Sequence, residues 1–471
     1  LYDSIPLQDS SVDPAKGGST NFAPFDEDVF DFISHKNSII FKEKPNDQTP
    51  EYSYLSSEAR KDQYLDQNRA WVRVQAQRIQ TEENQGLELV SLLTSCAESI
   101  TSNNYAAVNY ILSRLGELAS PRGTPIQRLS AYLTEALALR SARVWPDLFS
   151  ISPPREIVDQ INDYNDGIAL RLLDQVCPIP KFLHFTLNER LARAFEGQDK
   201  IHIIDFSISE GLQWPSFFQT LASRPHPPTH LRITGIGNSR QDLEDTGARL
   251  KALAESLNIQ FEFHPVIDKL EDVRYWMLHV KESYSIAVSC VLQLHKVLYD
   301  ENRRALANLL GLIRSTRPSM LLVAEEEEDH NSPRWETRLA NSMKYYSAIF
   351  DALNSCFRGE DSLARMKIEE MFGSKVRNII ACESVERIER HEKFDVWKGM
   401  MEGCGFRCIG FEEREAIRAE MILKMYSNNG DQGFGMEKRG EEFCDALTLN
   451  WNNQALYTVS AWEPVSDLHG L

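Results

Sequence analysis

The densest group of potential ligand side chains is the segment AEEEEDHN, at residues 324–331. Carboxylate oxygens and imidazole nitrogens are ligands that divalent metal ions use, and the segment offers Glu325, Glu326, Glu327, Glu328, Asp329 and His330. The acids follow an apolar, strand-like run, and neighbouring side chains of a strand point to opposite faces. Half of them must therefore point away from any common site. We interpret the segment as an acidic loop at a strand end, with some acids paired to Arg334 or Arg338.

The other chemistry-bearing residues form no recognisable catalytic signature. The sequence contains no Ser/His/Asp signature, no Walker loop and no HExxH motif. Cys404 and Cys408 have a loose metal-like spacing with His391 upstream, but no second Cys/His pair follows at zinc-site spacing. We predict structural thiols here, and structural roles for His264 and His295. No catalytic residue, metal site or cofactor is predicted, and the chain is not expected to be an enzyme.

Strand-like and helical segments alternate along the chain from residue 200 onward. This alternation predicts a doubly wound parallel sheet, with strands at 201–206, 231–237, 259–267, 285–294 and 319–327. A further strand is predicted at 406–411, and the segments 447–451 and 455–462 predict a hairpin. The predicted class is α/β: a Rossmann-like, methyltransferase-like sheet that is mostly parallel, with an antiparallel C-terminal hairpin and an N-terminal helical cap.

The turn after the first predicted strand bears on whether a nucleotide could bind. A dinucleotide or methyltransferase site needs a glycine-rich turn, so that backbone can approach the cofactor closely. Here Asp205 is followed by FSISEGLQWP, in which Gly211 is the only glycine. Phe206, Ile208 and Leu212 are bulky, and the second strand ends in GIG rather than in a ribose-binding acid. We predict that this turn leaves no room for a cofactor's phosphate or sugar.

The chain divides by composition into three regions. Residues 1–85 are predicted to be largely disordered, with a helix at 58–80. Residues 86–195 are predicted to form a leucine-rich helical cap. Residues 196–471 are predicted to form the Rossmann-like core, with a helical insertion around 331–375.

Two kinds of segment could bind a partner protein. The segment at 23–33 interleaves aromatic and acidic residues, which is typical of activation segments, although a solvated tail can have the same composition. Two stretches have LxxLL spacing, which fits either a docking stripe or, more commonly, a buried helix face: Leu89, Leu92 and Leu93, and Leu306, Leu309 and Leu310.

The charge balance argues against a strongly basic surface. The chain carries 51 Lys and Arg against 69 Asp and Glu, a formal net charge of −18. Because neutralisation of phosphates supplies most non-specific affinity for nucleic acid, direct DNA binding would require basic side chains to gather on one groove. The candidates are Arg224, Arg232, Arg240 and Arg249. No apolar run of about 18 residues or more is present, so no membrane-spanning segment is predicted.

Several short motifs occur in a fixed order along residues 87–464. Their residues are His202 and Asp205 in IHIIDF; Gly211, Gln213, Trp214 and Pro215 in GLQWP; Arg390, His391 and Glu392 in ERIERHE; and Ser460, Ala461 and Trp462 near the end. With these motifs the sequence resembles the GRAS family of plant transcriptional regulators, in its scarecrow-like branch. It departs from the family pattern at Glu326, Glu328 and Asp329, and at residues 374–376, where Ser-Lys-Val replaces the usual Arg-Glu-Ile.

The resemblance implies a nuclear regulator of transcription without catalytic activity. Family members form homodimers or heterodimers and associate with DNA-binding zinc-finger factors, and some contact DNA themselves. We interpret His202 and Asp205 as a structural pair that holds the first strand-to-helix turn. Two alternatives stay open: a direct sequence-specific DNA-binding factor, and a small-molecule binder or methyltransferase-like enzyme that uses the cofactor cleft.

Overall fold

The computed structural model describes residues 80–149, 166–357, 362–426, 433–440 and 445–465. These residues belong to one compact unit. The segment at 23–33 lies outside the described residues, and so does the predicted helix at 58–80 except for its last residue. None of the described helices is both long and apolar enough to cross a lipid bilayer.

One sheet of nine strands organises the described part of the chain. The strands are β1 Lys200–Asp205, β2 His230–Gly237, β3 Phe261–Ile267, β4 Ser285–Val291, β5 Met320–Glu326, β6 Phe406–Cys408, β7 Phe434–Arg439, β8 Ala446–Trp451 and β9 Gln454–Pro464. Their order is β3-β2-β1-β4-β5-β9-β8-β7, and β6 pairs with the last residues of β9.

The sheet is parallel in one half and antiparallel in the other. Strands β1 to β5 pair in parallel, whereas β9 pairs antiparallel with both β5 and β8. Strand order reverses between β1 and β4, which is the topological switch point of a doubly wound fold. The predicted α/β class with a mostly parallel sheet and a C-terminal hairpin is therefore confirmed. The hairpin does not close the edge of the sheet, because β9 lies between β5 and β8.

The buried strands are the ones that the sequence predicts well. Every residue of β5 is buried, and so is every residue of β1 after Lys200. Strands covered on both faces have nearly continuous apolar runs, which is the pattern visible in the sequence. Strand β7 is not predicted. Its sequence, FGMEKR, belongs to a partly exposed strand at the end of the sheet order, where few apolar residues are required.

Helices cover the sheet and build the N-terminal region. Their bounds are α1 80–101, α2 Tyr105–Leu118, α3 Pro125–Val144, α4 Asp166–Val176, α5 Pro178–Ala194, α6 Trp214–Ala222, α7 Arg240–Ser256, α8 Arg304–Ser315, α9 Trp335–Cys356, α10 Leu363–Ala381, α11 Phe394–Gly403 and α12 Glu413–Tyr426. Local signals set several of these ends. Pro125 opens α3 behind a capping box of Thr124 and Gln127, and the Ser239 side chain caps α7.

Two hydrophobic cores lie on opposite faces of the sheet. Ile201 and Ile203 of β1 join the first core, and Ile204 joins the second, as the alternation of strand side chains requires. The first core also contains buried residues of α1 to α5 and of the insertion helices α9 and α10. The predicted boundary at residue 195 therefore marks the change from an all-helical region to alternating strands and helices. The residues on its two sides share one hydrophobic core.

Both LxxLL stretches contribute to these cores rather than to a docking surface. Leu89 and Leu93 are buried in the first core, and Leu92 packs against it. The second stretch, on α8, is buried in the second core: Leu306, Leu309 and Leu310. The docking alternative is therefore not supported in this conformation, because the leucines already have packing partners.

Candidate functional site

Asp205 organises the first strand-to-helix turn. It is the last residue of β1, and its Oδ1 accepts a hydrogen bond from the backbone N–H of Ser207 at 2.8 Å. Its Oδ2 accepts another from Trp214 Nε1, also at 2.8 Å. Burial raises the pKa of Asp205 to about 6, against the opposing effect of these hydrogen bonds. Both carboxylate oxygens are thus used within the turn, which is the structural role that the sequence predicts.

His202 does not take part in that turn, contrary to the prediction. It is buried inside the sheet, and its Nε2 lies 2.8 Å from Thr234 Oγ1 on β2. Burial and the neighbouring Arg232 lower the pKa of His202 to about 3, so the ring is neutral at pH 7. Since side chains alternate along a strand, a residue three positions before the strand end cannot reach over the turn.

The turn is crowded, as the sequence predicts. The Ile208 side chain packs onto β2, where a Cβ added to Gly235 would lie 2.9 Å from Ile208 Cδ1. Gly211 has a φ of +66°, a conformation that favours glycine, and an added Cβ would lie 2.9 Å from Thr246 Cγ2. The glycine at 211 therefore allows close packing against α7.

The rest of the GLQWP motif ties the turn to neighbouring elements. Gln213 Nε2 donates to Asn188 Oδ1 of α5 at 3.1 Å, and Ser289 Oγ of β4 donates to Gln213 Oε1 at 3.3 Å. Trp214 and Pro215 begin α6, a position where a proline is well tolerated. These residues of the motif fix backbone geometry around the end of β1.

A cleft of about 760 Å³ lies beside this turn. It opens at the carboxyl ends of β1 to β4, where the strand order reverses and where open α/β sheets bind ligands. We call it the switch-point cleft; its lining includes Phe206, Ser207, Ile236, Asn238, Asp268, Lys269, Gln293, Lys296, Tyr299, Val385 and Ile388. The prediction of crowding concerned the turn alone, and the cleft lies beside that turn, so whether a cofactor could bind there stays untested.

The acidic segment after β5 is buried, which the sequence does not predict. All four glutamates from Glu325 to Glu328 are buried. The predicted pairing with Arg334 and Arg338 is wrong: Arg334 lies 3.9 Å from Glu336, and Arg338 lies 2.7 Å from Glu383. The acids are instead paired with groups from distant parts of the chain, so neighbours in sequence do not reveal their partners.

Glu325 anchors the loop that follows β4. Its Oε1 accepts hydrogen bonds from the backbone N–H groups of Leu294 at 2.7 Å and Gln293 at 3.2 Å. Its Oε2 lies 2.6 Å from His295 Nδ1, and His295 Nε2 lies 3.3 Å from Glu389 Oε2. Burial lowers the pKa of His295, but the two carboxylates more than compensate and raise it to about 9.

His391 lies beside these groups. Its Nε2 is 3.1 Å from Glu389 Oε2 and 3.6 Å from Glu326 Oε2, and its Nδ1 is 3.0 Å from His330 Nδ1. Lys375 of α10 completes the set, with its Nζ 2.5 Å from Glu326 Oε1. We call the whole set the buried charge cluster: His295, Glu325, Glu326, His330, Lys375, Glu389 and His391.

The charges of this cluster stabilise one another. Burial opposes the ionisation of Glu326, but His391 and Lys375 lower its pKa to about 2. Burial likewise disfavours the ammonium of Lys375, but Glu326 and Glu389 raise its pKa. Lys375 belongs to the Ser-Lys-Val triplet in which the chain departs from the family pattern. Two groups within the cluster have metal-ligating composition: His295, Glu389 and His391, and Glu326, His330 and His391.

The two C-terminal motifs pack around this cluster. Arg390 donates to Asn331 Oδ1 at 3.1 Å, and Glu392 Oε1 accepts from Asn331 Nδ2 at 2.9 Å. Trp462 is buried in the second core, and its Nε1 donates to Ser460 Oγ at 2.9 Å. Ala461 lies opposite Leu322 of β5 in the sheet. These motif residues therefore join the acidic segment and β5 to the end of the chain.

The four arginines proposed as DNA contacts do not gather on one groove. Arg232 is buried in the sheet with 1% of its surface exposed. Arg224 donates to the carbonyl oxygens of Phe195 and Ala192. Arg240 lies 3.6 Å from Glu244, and Arg249 lies 2.8 Å from Glu210. Arg232 is therefore excluded as a DNA contact and Arg224 is bound to backbone, whereas Arg240 and Arg249 are exposed on α7 beside acids, so the four arginines do not act together as the prediction requires.

Comparison with known proteins agrees with this geometry. Residues 89–463 match the GRAS domain family. The chain is 55% identical over 383 residues to Scarecrow-like protein 28 of Arabidopsis thaliana, covering 80% of this chain and 58% of that protein. It is 51% identical over 390 residues to Protein DWARF AND LOW-TILLERING of Oryza sativa subsp. japonica, covering 82% and 63%. The chain thus spans less than two thirds of the length of these two relatives.

A solved structure shows the same fold. The crystal structure of SCL7 in Oryza sativa is 27% identical in sequence and superimposes with a TM-score of 0.68, covering 80% of this chain and 99% of that one. The family match extends over most of the chain and includes all the motifs described above. This chain therefore belongs to the GRAS domain family.

Proposed function

We propose that this chain is a nuclear transcriptional regulator that acts through contacts with other proteins and catalyses no reaction. GRAS relatives of the scarecrow-like and DELLA kinds are plant transcriptional regulators. The observation that carries the non-catalytic part is the use of Asp205. An acid at the end of β1 stands where a cofactor site would begin, but here both of its oxygens are bonded to Ser207 and Trp214.

The distribution of charge supports protein partners over autonomous DNA binding. The chain carries a net charge of −18, and of its four candidate arginines Arg232 is buried and Arg224 is bound to backbone, whereas the exposed Arg240 and Arg249 each lie beside a glutamate. A protein that neutralises phosphates needs accessible Lys and Arg side chains. We therefore propose that it dimerises with itself or with other GRAS chains, and that it reaches DNA through zinc-finger transcription factors.

The experiment has two arms, both with the full chain. Light scattering after size exclusion and affinity capture against plant GRAS and zinc-finger proteins should show a dimer or at least one specific complex. Electrophoretic shift with DNA across a salt series should show no complex of the chain alone. Failure to bind any of these proteins, together with tight DNA binding that falls steeply with salt, would refute the proposal.

Binding of a small molecule in the switch-point cleft is a second candidate function. The volume of the cleft, about 760 Å³, lies within the usual range of ligand sites, and the cleft is lined by both apolar and polar groups. Calorimetry with S-adenosylmethionine and with dinucleotides measures whether the cleft binds either kind of cofactor. We expect no heat from either. Micromolar binding that Gly237→Leu removes, by filling the cleft beside Leu243, would favour this second function.

A further inference from the structure

Three ligand atoms converge inside the buried charge cluster. They are Nε2 of His295, Nε2 of His391 and Oε2 of Glu389, and their side chains are all buried. We propose that these three residues bind a divalent transition-metal ion, zinc being the ion that best fits imidazole and carboxylate ligands in a closed site. This inference is independent of the function proposed above.

The distances suit a tetrahedral ion. Glu389 Oε2 lies 3.3 Å from His295 Nε2 and 3.1 Å from His391 Nε2. Ligands at about 2.0–2.1 Å from a tetrahedral zinc ion are roughly 3.3 Å from one another. Two of the three distances therefore already match the spacing of zinc ligands, and all three atoms lie within 4.8 Å of one another. Glu326 Oε2 lies 3.6 Å from His391 Nε2, but the Glu326 carboxylate pairs with Lys375 and accepts a hydrogen bond from Tyr346, so Glu326 is a neighbour of the site and not one of its ligands.

None of the three atoms has a well-formed hydrogen bond among the described residues. Although Glu389 Oε2 lies 3.3 Å from His295 Nε2 and 3.1 Å from His391 Nε2, none of these three atoms has a hydrogen-bond partner with acceptable geometry. Buried polar atoms are rarely left in that state, because each has lost its hydrogen bonds to water without gaining a partner in the protein. An ion placed between the three atoms would satisfy them together.

The partners of the imidazoles fix which nitrogen faces the site. His295 Nδ1 lies 2.6 Å from Glu325 Oε2, an acceptor, so Nδ1 carries a proton whether or not the ring is charged. Its Nε2 faces the carboxylate oxygen of Glu389 at 3.3 Å. Between these two atoms lies either the second proton of the imidazolium, in the metal-free chain, or a metal ion that replaces that proton. At zinc sites, the ring nitrogen of a histidine ligand that does not bind the metal commonly donates a hydrogen bond to a carboxylate, which fixes the orientation of the ring.

The balance of charge agrees with a divalent ion. Glu325, Glu326 and Glu389 contribute three negative charges, whereas Lys375 contributes one positive charge. With neutral imidazoles the cluster would carry two uncompensated negative charges, which either protons on the imidazoles or one divalent ion would balance. One divalent ion makes the set neutral. The alternative is that both imidazoles are protonated, and the experiment distinguishes the two.

Bound zinc would tie together parts of the chain that are distant in sequence. His295 follows β4, whereas Glu389 and His391 belong to segment 384–391. The same segment places Val385 and Ile388 at the switch-point cleft. The ion would therefore fix one wall of the cleft against the sheet.

The test uses the full chain without a polyhistidine tag, expressed in medium that contains zinc. Elemental analysis should find about one zinc ion per chain, and replacement by cobalt should give the visible absorption of a tetrahedral site. X-ray absorption should show nitrogen and oxygen ligands without sulfur. A folded chain that takes up neither ion, even when it refolds in their presence, would overturn the proposal and favour protonated imidazoles.

Variants assign the ligands. Glu389→Gln and His295→Gln should each weaken zinc binding about ten-fold or more, whereas His264→Gln, in a half-buried histidine outside the cluster, should retain it. If the ligand variants do not fold, Glu325→Gln keeps all ligands: its amide oxygen can still accept from the backbone N–H groups of Gln293 and Leu294, but its amide nitrogen then faces His295 Nδ1 as a donor. It should weaken binding about 10–100-fold. Unchanged zinc affinity in folded Glu325→Gln and Glu389→Gln variants would also count against the site.

Discussion

Two regions at the carboxyl ends of the parallel strands differ in how open and how highly charged they are. Beyond β1 and β2 lies the switch-point cleft, which is open and lined by polar and apolar side chains without a dense charge network. Beyond β5 lies the buried charge cluster, in which carboxylates, imidazoles and an ammonium fill the space. Ligand sites of this fold class lie at such strand ends.

Segment 384–391 explains the difference. Its residues Val385 and Ile388 face the cleft, whereas Glu389 and His391 enter the cluster. The side chains of one short segment thus fill the sheet edge after β5 and leave it open after β1. The comparison teaches that charged residues from remote segments fill the strand ends after β5, whereas the strand ends after β1 and β2 stay open.

The largest expected effect comes from breaking the cluster. Lys375→Met should lower the free energy of unfolding by about 3–5 kcal/mol, because it leaves the buried Glu326 carboxylate without its ammonium. Urea denaturation measures the loss. The double variant Glu326→Gln with Lys375→Met should be distinctly more stable than Lys375→Met alone, and Arg240→Met, at an exposed ion pair, should change little. Equal losses in the single and double variants would contradict this account.

A smaller effect is expected at the crowded turn beside the cleft. Gly197→Ala and Gly211→Ala both force alanine into a left-handed conformation, at φ +73° and +66°, which costs about 1–2 kcal/mol. Only Gly211→Ala also meets a neighbour, Thr246 Cγ2 at 2.9 Å. Its total cost should therefore reach about 3 kcal/mol. Thermal and urea unfolding compare the two variants; an equal cost would show that the turn is less tightly packed than described.

The smallest effect concerns the pH dependence that Asp205 contributes. Its pKa is raised from 3.8 to about 6 by burial, so the folded state binds the proton more tightly than the unfolded state. The contribution of Asp205 to stability should be complete below about pH 4 and should fall by about 2 kcal/mol as pH rises through 6. The difference in unfolding free energy between the native chain and Asp205→Asn measures it. A difference that is constant between pH 4 and 7 would exclude this titration.

The parallel half of the fold could be predicted because its strands are buried on both faces. Such strands need apolar side chains at nearly every position, so β1, β4 and β5 stand out as short apolar runs. The role of Asp205 was also predictable, since its partners Ser207 and Trp214 follow within the same turn. Local sequence contains the information in both cases.

The buried charge cluster could not be predicted for the opposite reason. Within a run of acids, the sequence predicts that Glu326 is exposed to solvent. Its partner Lys375 lies 49 positions away and His391 lies further along the chain, so the local sequence does not reveal either contact. His202 was misplaced because its partner Thr234 belongs to the next strand. The presence of the switch-point cleft depends on how four strand ends and segment 384–391 come together, which no single stretch of sequence specifies.

The position of β9 between β5 and β8 has a consequence for folding during translation. Thr458 of β9 donates a hydrogen bond to Glu327, 131 positions earlier in the chain. Until the ribosome has released β9, β5 keeps an unpaired edge, and such edges promote aggregation. Nascent chains should therefore depend on chaperones late in translation, and a premature stop codon before residue 454 should yield an insoluble product rather than a smaller regulator.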